Sequence, residues 1–166
     1  LKDMKCKYKG FLYAGLMIIK NEPYLIEYNV RMGDPECQTI LPKLKTDLLK
    51  IILGCTNTKL NEIKIEWHNQ NSLCIVLCSK GYPGKYKNNI IINNLDSLIL
   101  DSNQKIFHAG TKIEDNNILS NGGRVLNFVC LSSSLKDARN KNIEIINKIN
   151  WPEGFYRQDI GYKVIE

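Results

Sequence analysis

The run Leu25-Ile26-Glu27-Tyr28-Asn29-Val30-Arg31-Met32-Gly33-Asp34-Pro35-Glu36-Cys37-Gln38 changes character halfway along. Its first half alternates as a strand does. Side chains two apart on a strand share a face, so Glu27 and Asn29 project together while Ile26, Tyr28 and Val30 enter the opposite layer. Two oxygen donors about 7 Å apart at the backbone can close on one hard cation. A solvated polar face on an edge strand is the alternative. The second half supplies an Arg fork, a flexible Gly33 and a helix start in favoured order, with Asp34 as N-cap, Pro35 at the first helical position and Glu36 in the first turn. A helix N-terminus favours anions, and Arg is the side chain suited to phosphate. Mg²⁺ held by a carboxylate, an amide and nucleotide phosphates is the chemistry this spacing suits.

Working outward, Phe11-Leu12-Tyr13-Ala14-Gly15-Leu16-Met17-Ile18-Ile19 predicts a strand that a Lys20-Asn21-Glu22-Pro23 turn joins to residues 24–31 as a hairpin. Pro42 stops the helix begun at Asp34 within two turns. Thr46-Asp47 can cap a second helix over Leu48–Leu53, ended by Gly54. Residues 56–70 turn polar and lose periodicity, which marks a lobe boundary. Further β runs fall at 72–79, 89–92, 97–100, 104–108 and 123–131. Ser134 with Asp137 three residues on starts a helix of 135–149, with Leu135, Ala138, Ile145 and Ile149 near one face. The fold class is α+β: a hairpin with short helices, then a small, mainly β part with one long helix.

The 166 residues suit one domain or two small lobes, and 43% hydrophobic with 24% charged residues excludes a disordered chain. No apolar run is long enough for a membrane span, and the chain is expected to be soluble and cytoplasmic, with no membrane partner. The formal charge of +6 comes with 22 Ile, 19 Asn and 19 Lys but only 4 Arg, the usage of an AT-rich genome, and the lysines form no stripe with aromatics. Nucleic acid is therefore not an expected partner. Where only positive charge was wanted, Lys would have replaced Arg, so Arg31, Arg124 and Arg157, all in Gly-rich or acid-containing motifs, carry information. Cysteines at 6, 37, 55, 74, 78 and 130 form no CxxC pair, which makes zinc unlikely to be their purpose. Cys74 and Cys78 are expected on one face of a buried strand, as reduced core thiols.

The motif Ile26–Gln38 resembles the signature of phosphoribosylamine–glycine ligase, the ATP-grasp family also called glycinamide ribonucleotide synthetase. The resemblance extends along nearly the whole chain: Tyr8–Met17, Gly81-Tyr82-Pro83-Gly84-Lys85-Tyr86, Phe107-His108-Ala109-Gly110-Thr111, Gly122-Gly123-Arg124-Val125-Leu126 and Tyr156-Arg157-Gln158-Asp159-Ile160-Gly161 are similar to further family motifs, in family order. It implies that ATP phosphorylates the glycine carboxylate and that the amine of 5-phosphoribosylamine attacks the glycyl phosphate, giving glycinamide ribonucleotide in purine synthesis. ATP is then a co-substrate and Mg²⁺ or Mn²⁺ the cofactor. Carried over by position, Glu27 and Asn29 bind the metal. Arg31 clamps nucleotide phosphate and, with Asp34, counts as catalytic. Asp34, Pro35 and Glu36 shape the glycine and amine side, and Gly122, Gly123 and Arg124 take the ribose phosphate. For Arg124 beside two glycines, phosphate binding also follows from the residues themselves, against a structural salt bridge.

Met32 stands where the family has Leu or Phe, and residues 11–19 lack the further metal-binding acid of many ATP-grasp enzymes, so fewer protein ligands are expected. The resemblance divides the chain into residues 1–60, the last piece of the grasp core, and residues 70–166, the family's C-terminal domain. It makes the N-terminal part of the same enzyme the implied partner, and the chain alone an inactive part of the ligase. A non-catalytic remnant or split-subunit interaction module is the alternative. His108, Lys80, Lys85 and Arg157 are weaker candidates: a structural role is the first reading for His108 and a solvated one for the two lysines, while Arg157 could simply pin the C-terminal tail; Trp67 and Trp151 are expected to anchor packing at the lobe edges.

Overall fold

A computed structural model describes Lys5 and residues 7–165; Cys6 and the first residues of the 1–60 piece lie outside the described residues. Two compact units are present, one made of the chain up to Cys37 with Leu44–His68, the other of Gln38–Lys43 with the chain from Asn69.

In the first unit β1 (Tyr13–Ile19) pairs antiparallel with β2 (Glu22–Asn29). Lys20 and Asn21 both take positive φ, 51° and 64°, the backbone of a two-residue hairpin turn. The turn is thus shorter than expected, and Glu22 and Pro23 belong to β2, where a two-stranded ribbon has an open edge that tolerates proline. Ile26, Tyr28 and Val30 do not enter a buried layer: they are 63%, 63% and 69% exposed. Exposure this high means that no layer of the unit covers that face of the hairpin.

The helix after the hairpin, α1 (Glu36–Ile40), begins later than expected. Pro35 follows a cis peptide bond in the turn before it, and the turn is closed by the Cys37 N–H reaching the Gly33 carbonyl at 2.9 Å. Asp34 and Pro35 are therefore turn residues, not an N-cap and a first helical position. α2 (Leu48–Thr56) is capped by Asp47, whose side chain accepts from the Lys50 N–H at 3.1 Å. Gly54 does not end it. That glycine is buried inside the helix, where a Cβ would lie 2.2 Å from Ile63 Cδ1, so its bareness admits Ile63 and the helix continues to Thr56. Trp67 bridges to Leu44 yet is 50% exposed, so within this unit it is not a packing anchor.

The second unit is a four-stranded antiparallel sheet in the order β4 (Gln104–His108), β7 (Arg124–Ser132), β3 (Asn71–Ser79), β8 (Gly154–Phe155), beside a hairpin of β5 (Thr111–Glu114) and β6 (Asn117–Ser120). That hairpin was not foreseen. Its turn is Asp115-Asn116, again with both φ positive. Of the expected strands, 89–92 only lies along β6, with the Ile92 N–H on the Ile118 carbonyl at 2.8 Å, because Asn89 and Asn94 in left-handed backbone break it at either end. Residues 97–100 form no strand, and Ile99 there is 87% exposed. β7 is buried from Val125 to Ser132, and its Leu126, Phe128 and Cys130 join Leu73, Ile75 and Leu77 of β3 in the core.

Ser134 caps α3 (Leu135–Ile146), accepting from the Asp137 N–H at 3.1 Å. The helix stops short of 149 in a tightened turn, with Lys148 and Ile149 bonding back only three residues. Ala138 and Ile145 are buried on its inner face, with Leu135 and Ile149 packed at the margin. The same face holds a residue no hydrophobic pattern would choose, Asn142, whose Nδ2 donates to the Leu73 carbonyl at 2.9 Å. β8 pairs with β3 at Cys78 and Ser79, and Leu73, whose carbonyl the amide reaches, lies opposite Cys130 of β7. Cys74 and Cys78 differ in environment, half-buried and buried, because the register shifts between Leu77 and Cys78. All five described cysteines are free. Among the described residues no helix is long and apolar enough to cross a membrane.

Replacing Asn142 by Ala removes this hydrogen bond from the core; the expected loss is about 1 kcal/mol, measured by urea denaturation.

Candidate functional site

The hairpin register sets the site. Asn29 lies opposite Tyr13 and Glu27 opposite Gly15, so the four residues occupy one face. On it Asn29 Nδ2 donates to Glu27 Oε1 at 2.9 Å, the convergence expected from their spacing. Gly15 makes room for this, since a Cβ there would sit 3.0 Å from Glu27 Cγ. The tyrosine hydroxyl of residue 13 donates to Glu36 Oε1 at 3.3 Å. Gly33, buried beneath, has no side chain to obstruct Glu36: a Cβ would come within 2.4 Å of Oε2. Arg31 is exposed and folds onto its neighbour, Nη1 to the Met32 carbonyl at 3.1 Å. Asp34 and Pro35 are half-buried in the turn between Gly33 and α1.

Charge couples these groups. The Glu36 carboxylate, followed by partial burial and the hydrogen bond to Glu36, raises the Tyr13 phenol above its ordinary value of 10.0; Glu27 adds to the rise and Arg31 opposes it. Tyr13 therefore feels both carboxylates and the guanidinium. Sequence reasoning passed over it and Gly15 as strand residues; the available signal was that positions 13 and 15 share a face, but only the register tells which face meets Glu27.

The donor set fits a hard divalent ion. With Asn29 Nδ2 bonded to Glu27 Oε1, the oxygens Glu27 Oε2 and Asn29 Oδ1 are the atoms able to ligate, and both suit Mg²⁺ or Mn²⁺. Among the described residues no group of three or more His, Cys, Asp and Glu is placed to hold a metal ion.

In the second unit Gly122 and Gly123 have a packing reason to be glycine. A Cβ on Gly123 would strike the Tyr82 ring at 2.1 Å, and Gly122 lies against Gly110. Their carbonyls are engaged by Ser79, through Oγ to Gly122 at 2.7 Å and the N–H to Gly123 at 2.8 Å. Arg124 follows as the exposed first residue of β7, paired with Cys78. The loop carrying Tyr82 thus meets the Gly122–Arg124 turn, a meeting of two motifs far apart in sequence. Lys80 and Lys85 are exposed on that loop.

His108 Nδ1 pairs with Thr111 Oγ1 at 2.8 Å, a local turn contact. Arg157 grips Asp159 through two bonds of 2.9 and 2.6 Å. Arg139, which carried no sequence signal, ties the C-terminal segment to α3 through the carbonyls of Ile160 and Gln158. Trp151 is buried and closes on Gly154, as an anchor should.

Residues 72–163 match the model of the phosphoribosylglycinamide synthetase C domain, and residues 1–37 that of the ATP-grasp (A) domain of the same synthetase. The chain belongs to the phosphoribosylglycinamide synthetase family. Among its relatives are proteins named phosphoribosylamine–glycine ligase from Brucella melitensis, 39% identical over all of this chain and 39% of that protein, and from Caldanaerobacter subterraneus, 44% identical over 97% of this chain and 38% of that protein. A chloroplastic one from Arabidopsis thaliana is 40% identical over 96% of this chain and 31% of its own length. The crystal structure of phosphoribosylamine–glycine ligase from Thermotoga maritima superposes with a TM-score of 0.76 at 31% identity, over 96% of this chain and 39% of that one. The chain thus spans less than two-fifths of the synthetase relatives it matches. The A-domain match holds Glu27, Asn29, Arg31 and Glu36, and the C-domain match holds Arg124.

Because the Glu36 charge is the first cause of the Tyr13 shift, Glu36→Gln should bring the phenol back down toward 10.0, read from the ring carbon of labelled Tyr13 by NMR titration.

Proposed function

We propose that this chain supplies the metal-binding and substrate-binding walls of an ATP-dependent ligase that joins glycine to 5-phosphoribosylamine, giving glycinamide ribonucleotide, ADP and phosphate in purine synthesis. The observation that carries the proposal is the clasped Glu27–Asn29 pair on one strand face, with Arg31 and Glu36 coupled to the same tyrosine.

In this reading Glu27 and Asn29 would hold Mg²⁺ or Mn²⁺ through their outer oxygens, and the ion would supply positive charge that offsets the charge of phosphoryl transfer. Arg31, released from the Met32 carbonyl, turns its fork to phosphate oxygens. Glu36, held over Gly33, accepts from the ammonium of glycine, and Asp34 with Pro35 shapes the turn around it. Arg124, presented at the start of β7 by a turn packed under Tyr82, takes the ribose phosphate of the amine substrate. Residues 1–60 act as the end of the grasp core and 70–166 as the C-terminal domain. The remaining walls come from the rest of the enzyme, whose relatives are more than twice as long. The apolar face of β2, with Ile26, Tyr28 and Val30 exposed, is where that remainder would be laid. Free cysteines suit a reducing compartment such as the cytosol.

Phosphoryl transfer is mostly positioning and charge stabilisation in a site closed to water. The 166 residues alone should therefore form no ADP with glycine and phosphoribosylamine, whereas adding the upstream segment of the enzyme restores glycine-dependent ADP release in a coupled assay. In that assembly Glu27→Gln should lower kcat by about two orders of magnitude or more, as loss of a metal-orienting charge does. Turnover by the 166 residues alone at the rate of the assembly overturns the division of labour.

A further inference from the structure

Glu36 has both its oxygens accounted for by residues outside its own helix. Oε1 receives the Tyr13 hydroxyl at 3.3 Å, and Oε2 lies where a side chain on residue 33 would be, 2.4 Å from the Cβ that Gly33 lacks. α1, which carries Glu36, has five residues, too short a helix to fix a first-turn carboxylate by itself. Tyr13 is fixed by contrast: it sits in β1 directly across from Asn29, half-buried on the face that Glu27 shares. A phenylalanine would serve the cross-strand packing equally well. The hydroxyl, a donor at neutral pH that phenylalanine lacks, reaches Glu36 of α1 from the hairpin.

We propose that Tyr13 is a positioning residue of the site, its hydroxyl holding the Glu36 carboxylate over Gly33 in the orientation that receives the ammonium group of the amino-acid substrate. The idea rests on the ligase function proposed above and extends it to a residue on the strand paired with the signature. Tyr13 touches no reacting atom in it. The ring stays registered to Asn29 while the hydroxyl sets Glu36, so the spacing between the metal-binding pair and the ammonium acceptor is transmitted through one rigid side chain. The hydrogen bond is long for an O–H donor, as such bonds often are before a substrate is bound.

The test uses the ligase assembled from this chain and its upstream segment, with Tyr13→Phe, Glu36→Gln and the double variant. Tyr13→Phe should raise KM for glycine about fivefold, the size of one charge-assisted hydrogen bond's orienting effect, with kcat and KM for ATP changed by less than about twofold. Glu36→Gln should raise KM for glycine further, and on that background Tyr13→Phe should add nothing, since the carboxylate it orients is gone. Gly33→Ala reaches Glu36 from the other side and should show the same KM effect, likewise absent on the Glu36→Gln background. An unchanged KM for glycine in Tyr13→Phe, or effects that add in full in the double variant, overturns the positioning role while leaving the ligase function standing. A parallel rise in KM for ATP, or a fall in Mn²⁺ affinity measured by paramagnetic resonance, assigns Tyr13 to holding the hairpin together and also overturns it. If the assembled parent shows no glycine-dependent ADP formation, the ligase function itself fails, and this role with it.

Discussion

Antiparallel pairing in fixed register is the constraint on which both units depend. Successive side chains on a paired strand alternate between faces, so one register decides every neighbour at once. In the hairpin, Tyr13 opposite Asn29 and Gly15 opposite Glu27 put a phenol, an amide, a carboxylate and a space on one face. A slip by one residue would exchange them for the apolar set Ala14, Leu16, Ile26 and Tyr28. In the second unit the same rule acts on β7, which is flanked by β4 and β3 and buried on both faces, so it has no polar side to spend on solvent.

Glycine recurs where groups must approach closely, and here the requirement is for space more than for unusual backbone. Gly33 leaves room for the Glu36 carboxylate, Gly15 for the Glu27 stem, Gly123 for the Tyr82 ring and Gly54 for Ile63. Gly81 differs, since its φ of +102° and the Lys85 carbonyl 2.1 Å from a would-be Cβ demand glycine on both counts. The Gly122-Gly123 pair, which in sequence suggests backbone N–H groups opened to an anion, has a packing role as well, giving its carbonyls to Ser79 and its surface to Tyr82. In the proposed function, an anion at Arg124 is met by a turn held by this packing.

The rare arginines, informative because this chain otherwise uses lysine, divide by what they grip. Arg157 pairs with Asp159 and Arg139 with backbone carbonyls of the C-terminal segment, contacts that need a fork but no substrate. Among the described residues Arg31 bonds the neighbouring Met32 carbonyl and is exposed beside the Glu27–Asn29 face, and that places it apart from the two tethering arginines. His108, similarly, is accounted for by Thr111.

Local patterns were enough for the sequence to announce the hairpin, the Asp47 and Ser134 caps, the α+β class and the shared face of Glu27 and Asn29, because each depends on residues within a few positions of one another. The family, too, was legible, since its motifs lie in order along one chain. Tertiary structure alone decided the rest. Whether Gly54 ends a helix depends on Ile63, whether Asn142 is tolerated in a core depends on the Leu73 carbonyl within reach of its amide, and whether Tyr13 belongs to the site depends on a cross-strand register and on Glu36. These are contacts between segments distant along the chain, and a linear pattern carries no term for what will stand opposite a residue. The exposed face of β2 marks the same boundary from the other side: alternation determined which residues are apolar, and only a packed neighbour could make them buried.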